Sequence, residues 1–229
     1  MKISIIIPVL NEENGIANLL NYLQEIKNPD FTHEIIVVDG GSNDATLEIL
    51  KSYSTIKVFN TKKGRAIQMN VGAEKATSEI LYFLHCDTFP PKNFDYEIVK
   101  NVKNDYLSGC FKMKFDNNHI VLKASQWFTR FNHISCRGGD QSLFIENNLF
   151  KKLNGFDENL MLYEDNEFID RLYKNSKFTV IQKTVTTSAR KYLKNGVWTL
   201  QFHFLMIHLK FWIGTNNEKL LKYYQKKIN

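Results

Sequence analysis

The 229 residues are enough for one sizeable core, as a single domain or a domain with an appendage. At 43% hydrophobic and 24% charged they belong among ordinary globular chains. Three cysteines, Cys86, Cys110 and Cys136, odd in number and without CxxC spacing, argue against a zinc centre and fit reduced thiols. A formal net charge of +6 suits a polyanionic partner, whether a nucleoside diphosphate, nucleic acid or an anionic membrane, but no aromatic and basic stacking pattern supports the nucleic acid.

Met1 leads directly into a β-branched run, Ile3 to Val9, with no basic segment and cleavage site ahead of it, so export is not expected and a cytoplasmic location is. After the polar turn Asn11-Glu12-Glu13-Asn14, Ile16, Leu19, Leu20 and Leu23 recur at helical spacing. The pattern repeats. Glu34 to Asp39 reads as a second strand, followed by Gly40-Gly41-Ser42-Asn43-Asp44 and a helix through Ala45, Leu47, Ile49 and Leu50. Ile56 to Phe59 is a short third strand, Gly64 to Ala76 a third helix and Ile80 to Leu84 a fourth, buried strand. Strands alternating with helices predict an α/β fold with a parallel, doubly covered sheet.

Ligands of open α/β sheets sit outside the carboxyl ends of the strands. Asp39 at one such end, and His85 and Asp87 at another, are therefore candidates to face a common crevice, as are Lys63, Gly64 and Arg65 for a phosphate. Asp39-Gly-Gly-Ser is equally the composition of a plain turn with a helix cap at Ser42 or Asn43.

Four motifs in order, Ile-Ile-Pro-Val-Leu-Asn-Glu-Glu (6–13), Val-Val-Asp-Gly-Gly-Ser-Asn-Asp-Ala-Thr (37–46), Gly-Arg-Ala-Ile-Gln-Met-Asn-Val-Gly-Ala (64–73) and Phe-Leu-His-Cys-Asp-Thr (83–88), resemble the nucleotide-sugar half of family 2 glycosyltransferases. Further on, Gly138-Gly139-Asp140-Gln141 precedes a strand, Ser142 to Ile145, and a helix, Phe150 to Phe156. Tyr163-Glu164-Asp165-Asn166-Glu167 then resembles the family's Glu-Asp motif. The resemblance covers residues 3–192. It implies a GT-A fold with a Rossmann-like, mostly parallel sheet, a nucleotide-diphosphate sugar donor, a divalent metal (Mg²⁺ or Mn²⁺) and inverting transfer.

On this resemblance Asp165 is the general base and Glu164 its structural neighbour. Asp87 ligates the metal, Lys63, Gly64 and Arg65 meet the diphosphate, and Asp39 with the loop from Pro8 and Val9 to Asn11 and Glu12 holds the nucleoside. Asp140 and Gln141 border the acceptor. The usual metal motif is Asp-x-Asp, and its first carboxylate is here replaced by His85, which contacts ribose or phosphate or touches the metal as neutral imidazole. A strand at Phe178 to Ile181 leads to Arg190 and Lys191, either of which could close over the phosphates, the plain alternative being surface charge. The alternative from another class is a non-catalytic nucleotide-sugar binding protein on the same fold.

The domain expected over 1–192 divides into a nucleotide-sugar half, about 1–90, and an acceptor half, about 91–192. Residues 193–229 form a helical extension. Within it Val197 to Ile213 is too short and too polar to span a membrane. It carries two apolar stripes: Leu200, Phe204, Ile207 and Phe211, and Trp198, Phe202, Leu205, Leu209 and Trp212. One stripe can pack on the domain. The other needs its own domain, a second subunit or a bilayer surface to cover it, and a lipid-linked acceptor would suit the last.

Overall fold

The computed structural model describes residues 1–228, the side chains of His33 and Trp212 excepted. The first half follows the expected alternation: β1 (Ile3–Val9), α1 (Ile16–Ile26), β2 (Thr32–Asp39), α2 (Thr46–Lys51), β3 (Lys57–Asn60), α3 (Arg65–Lys75) and β4 (Ile80–Phe83). These four strands lie in the order β3-β2-β1-β4, all parallel, so their carboxyl ends share one edge. Alternating side chains of β1 feed two cores. Ile3, Ile5 and Ile7 meet Leu19, Leu20 and Leu23 of α1, while Ile6 on the other face meets Ala66, Met69 and Ala73 of α3. At Gly72 a Cβ would stand 2.4 Å from the Ile6 side chain, so glycine lets α3 approach the sheet closely enough to seal it.

The second half departs from a parallel sheet. It comprises β5 (Thr88–Phe89), α4 (Phe94–Lys103), β6 (Ser108–Phe115), α5 (Ile120–Phe128), β7 (Leu143–Glu146), α6 (Asn147–Lys152), α7 (Glu164–Asn175), β8 (Phe178–Thr187), α8 (Arg190–Asn195), α9 (Val197–Trp212) and α10 (Asn217–Lys227). Beyond β4 the order continues β7-β6-β8-β5. β7 runs antiparallel to β4 and β6, β6 parallel to β8, and β5 antiparallel to β8.

The larger departures from the sequence reading lie in the second half. α6 starts at Asn147, because the Glu146 carboxylate accepts from Leu149 N at its amino end, and closes through Asn154 and Gly155, both left-handed. β8 runs six residues past Ile181, paired to β6 across a register shift. Strand β6 lies in a stretch for which the sequence reading offered no element. The last two helices do not stand apart. Leu200, Ile207 and Ile228 bury together against Tyr163 and Tyr192, so one stripe of α9 is packed on the domain as expected.

Candidate active site

Two loops at the carboxyl edge of the parallel strands cap each other. Asn11 N donates to Ser42 Oγ at 2.8 Å, and Asn43 N returns a bond to Asn11 Oδ1 at 2.9 Å. Glu12 N donates to Thr46 Oγ1, and Ala45 N to Glu13 Oε2. Asn11 sits in the left-handed region, which asparagine tolerates better than most residues, and this turns the chain sharply after β1. Beneath them the buried Gln68 amide of α3 donates to both Val9 O and Val38 O at 2.8 Å, holding the ends of β1 and β2 together. Asp39 has both proposed uses open to it in sequence. In the structure its Oδ2 accepts from Gly41 N and Ser42 N, and Oδ1 accepts from Ser42 Oγ, so its carboxylate organises the turn at the crevice wall.

Next to this wall Glu12, Cys86, Asp87, Asp116, Ser188 and Arg190 line an open cavity. Pairing of β5 with the end of β8 and the bond from Ser188 N to Asp87 O bring Arg190 over it. Asp116 Oδ1 accepts from Ala189 N at 2.8 Å and fixes the turn that starts α8. Arg190 Nη2 donates to Glu12 Oε1 at 2.6 Å and lies 3.8 Å from Asp87 Oδ2. The Glu12 hydrogen bond is the main reason its guanidinium pKa is raised. The other Glu12 oxygen, Oε2, is buried with no hydrogen-bond partner among the described residues. Burial, with the charges of Glu12 and Asp87, pushes the Cys86 thiol far up, so it is a neutral wall rather than a nucleophile.

On the other side of His85 the acceptor half contributes a second acidic group. The His85 ring lies 3.4 Å through Nδ1 from Asp140 Oδ1 and 3.9 Å through Nε2 from Asp165 Oδ2. Thus His85, expected at ribose, phosphate or metal, bridges two acceptor-side carboxylates. Arg65, expected at the diphosphate, places Nη1 3.5 Å from both Glu164 Oε1 and Asp165 Oδ2. Partial desolvation works against its charge, but Glu164, Asp165, Asp140 and Asp87 more than offset it and raise its pKa. Glu164 and Asp165 contact this guanidinium, and Asp140 and Asp87 act on it through charge at longer range. Burial raises the Glu164 pKa, the neighbouring charge of Asp165 adds to that, and Arg65 opposes both. Desolvation would also raise Asp140, yet its hydrogen bond to His85 and the charges of His85, Arg65 and Lys191 hold it below the usual carboxylate range.

Backbone strain accompanies this cluster. Tyr163, immediately before Glu164, takes φ 73° at the start of α7 without a side-chain cap. Its ring is held by α9, stacked on Phe211 at 4.5 Å between centroids and set edge-on to His208 at 4.9 Å. At Gly139 a Cβ would stand 2.0 Å from Asp165 Oδ2 and 3.1 Å from His85 Cε1, so only glycine leaves room for the carboxylate and the ring. Tyr163 and Gly139 were quoted in the sequence motifs without a role; no local signal marks them, because both act through residues distant in the chain.

The remaining expected residues fall into place unevenly. Pro8 and Val9 end β1 against Val38 and Asp39, and Gly64 precedes α3 with its carbonyl accepting from Gln68 N. Lys63 is exposed and makes no hydrogen bond or ion pair among the described residues, which leaves it available to an anion. Gln141 is buried, with its amide Nε2 unpartnered among those residues.

No group of three or more His, Cys, Asp or Glu side chains suited to a metal exists among the described residues. Asp87 is partly exposed, and it lines the cavity together with Glu12, whose Oε2 is buried and unpartnered among the described residues. This sparse, oxygen-only donor set fits a hard divalent ion whose other ligands arrive as phosphate oxygens and water, and does not fit a resident all-protein site.

Comparison with known proteins bears on the family and the fold. Residues 4–157 match the model of glycosyl transferase family 2. A probable glycosyltransferase of Bacillus subtilis, YdaM, is 29% identical over 199 residues, 75% of this chain and 46% of that protein. The chain thus spans under half of YdaM. An uncharacterised glycosyltransferase of Haemophilus influenzae is 26% identical, covering 88% of this chain and 87% of its own. Among solved structures, Staphylococcus aureus TarS residues 1–349 in complex with UDP superposes with a TM-score of 0.71 at 25% identity, over 82% of this chain and 60% of that one.

Proposed function

The chain belongs to glycosyl transferase family 2, and on that premise we propose that it transfers a sugar with inversion from a nucleoside-diphosphate donor, UDP-linked as in the TarS complex, to a hydroxyl acceptor. The observation that carries the reading is the cluster at the start of α7: Asp165 lies beside Arg65 and His85, and His85 also reaches Asp140.

The nucleoside lies against Asp39 and the loop from Pro8 to Glu12. The Ser42, Thr46 and Asn11 bonds make that wall rigid before the donor arrives. Asp87 would hold a Mg²⁺ or Mn²⁺ brought in with the diphosphate, and such an ion would supply neutralisation of charge on the leaving group. Lys63 and Arg190 supply the protein's own cations there, Arg190 exchanging its Glu12 and Asp87 partners for phosphate oxygens. Asp165 accepts the proton of the acceptor hydroxyl as its oxygen bonds to the anomeric carbon. The bond from that carbon to the diphosphate oxygen breaks in the same displacement, its electron pair leaving with the diphosphate. Asp140 and Gln141 border the acceptor, and His85 orients Asp140 and Asp165 toward it.

Calorimetry with UDP, GDP, CDP and dTDP, each with Mn²⁺, Mg²⁺ or EDTA, tests the donor side on the wild type and Asp87→Ala. Metal-dependent binding of UDP, weakened by the substitution, is expected. Folded protein that binds none of the four would overturn the transferase reading.

A further inference from the structure

Helices α5 and α9 both turn apolar faces to solvent, and they meet. The His119 ring at the head of α5 sets its edge on Trp198 at the head of α9, 6.4 Å between centroids. From that junction Ile120, 76% exposed, leads along α5 to the exposed cluster of Trp127, Phe128 and Phe131, whose rings contact one another. Trp198, 70% exposed, leads along α9 to Phe202, Leu205 and Leu209, one stripe at helical spacing. The opposite stripe of α9 is spent on the domain, with Leu200 and Ile207 buried. Large exposed aromatics on two touching helices exceed the isolated apolar side chains usual on a soluble surface.

Charge decides what covers this face. Between Asp116 and Asp140 the chain exposes Lys123 and Arg130 and has no acidic residue, Arg137 being buried, and residues 188–228 carry eight Lys and Arg against the single Glu218. A second copy of the chain would bring one basic rim against another, whereas an anionic bilayer is complementary to it. Aromatic and aliphatic side chains on one side, with basic residues flanking them, match a helix lying in the interfacial plane. No helix among the described residues is long and apolar enough to cross a membrane.

The geometry points to the joint α5 and α9 face as a docking surface for an anionic lipid bilayer. Both helices connect through short segments to residues that line the cavity. Asp116, which lines it, stands shortly before α5, and Arg190, which also lines it, begins α8 directly ahead of α9. The inner stripe of α9 also braces Tyr163 beside Asp165 through Phe211. A docked molecule therefore presents its acceptor side to hydroxyls carried at the membrane surface, a consequence that rests on the transferase reading, while docking itself does not.

Co-sedimentation of the full chain with vesicles tests docking without turnover. The vesicles are phosphatidylcholine alone, or phosphatidylcholine with roughly one-third phosphatidylglycerol, at low and high salt. The wild type is expected to bind the anionic vesicles and not the neutral ones. Trp127→Ser with Trp198→Ser and Phe202→Ser, all at exposed positions, is expected to lower partitioning at least roughly tenfold with an unchanged melting temperature. Replacing Lys123 and Lys194 by Gln should shift binding to lower salt. A folded wild type that stays in the supernatant would overturn the proposal. So would partitioning indifferent to the triple substitution, or a light-scattering dimer that the triple substitution dissolves. UDP binding in any of these cases leaves the donor-site reading standing, which separates the two failures.

Discussion

Two buried glutamates, one in each half of the molecule, are treated in opposite ways. Glu34 on β2 accepts from Ser4 Oγ, Thr77 N and Thr77 Oγ1 and pairs with Lys57 Nζ at 2.6 Å. Burial alone would raise its pKa, but these partners, Lys57 foremost, bring it down to about 2. Glu164 on α7 has Arg65 at 3.5 Å as its nearest cation and Asp165 beside it, and its pKa goes up. Glu34 is satisfied by the scaffold's own donors. Glu164 instead shares one guanidinium with Asp165, and carboxylates left so weakly compensated are more typical of functional sites than of stabilising ion pairs.

Substitutions can break or sharpen this contrast. The largest effect is expected from Asp165→Asn, which removes the proposed proton acceptor while keeping its shape. Turnover should fall by about 10²–10⁴-fold, with UDP affinity by calorimetry changed less than about threefold. Retained turnover would remove Asp165 from the mechanism.

Glu34→Gln should act on folding alone. The folded pKa of Glu34 is depressed, so its stabilisation is fully present above the unfolded value of 4.5 and is lost as pH falls toward about 2. In urea titrations between pH 3 and 7 the wild type should lose stability toward acid. The variant should be roughly 3 kcal/mol less stable at pH 7 and should lack that part of the slope.

Gly139→Ala sets a methyl against Asp165 Oδ2. Because the flexible end of a side chain yields, folding should suffer by less than about 1 kcal/mol, while displacement of the base lowers kcat by about 10²-fold. An unchanged kcat would show that Asp165 need not stand where the structure places it.

The smallest effect, and the opposite sign, is expected from Glu164→Gln. A raised folded pKa makes the contribution of Glu164 most favourable below 4.5 and progressively lost as pH rises through its elevated folded value. The variant cannot ionise. It should match the wild type at pH 4 and exceed it by about 1 kcal/mol at pH 8 in thermal or urea unfolding. A loss of stability at pH 8 would mean that the attraction of Arg65 outweighs burial.

Most of the donor half was legible in the chain because each of its units closes over a short stretch. The run Ile3 to Val9, the turn at Asn11 and the apolar spacing from Ile16 to Leu23 are local signals, and they fold as the spacing predicts. The two stripes of α9 were legible for the same reason. The acceptor half was harder. β6 is held by β8, whose residues lie some seventy positions on, and by β7, antiparallel to it, so no local period announces the mixed sheet. Asp140, Asp165 and Arg65 were legible as chemical types. That the ring replacing the usual first metal carboxylate would lie between Asp140 and Asp165, and that Arg65 would join them, depends on the approach of three loops.

The amino-acid order alone determined the strand, turn and helix units, the edge at which polar residues collect, and the inventory of carboxylates and cations, since these follow from periodicity, turn chemistry and side-chain type. Only the tertiary structure decided that Asp39 ties its own turn, that Arg190 lies across Glu12 and Asp87, and which stripe of α9 is spent on Tyr163 and Tyr192. Hydrogen bonding, desolvation and charge interaction act over a few ångströms in space, and the groups they join here lie up to 178 positions apart along the chain.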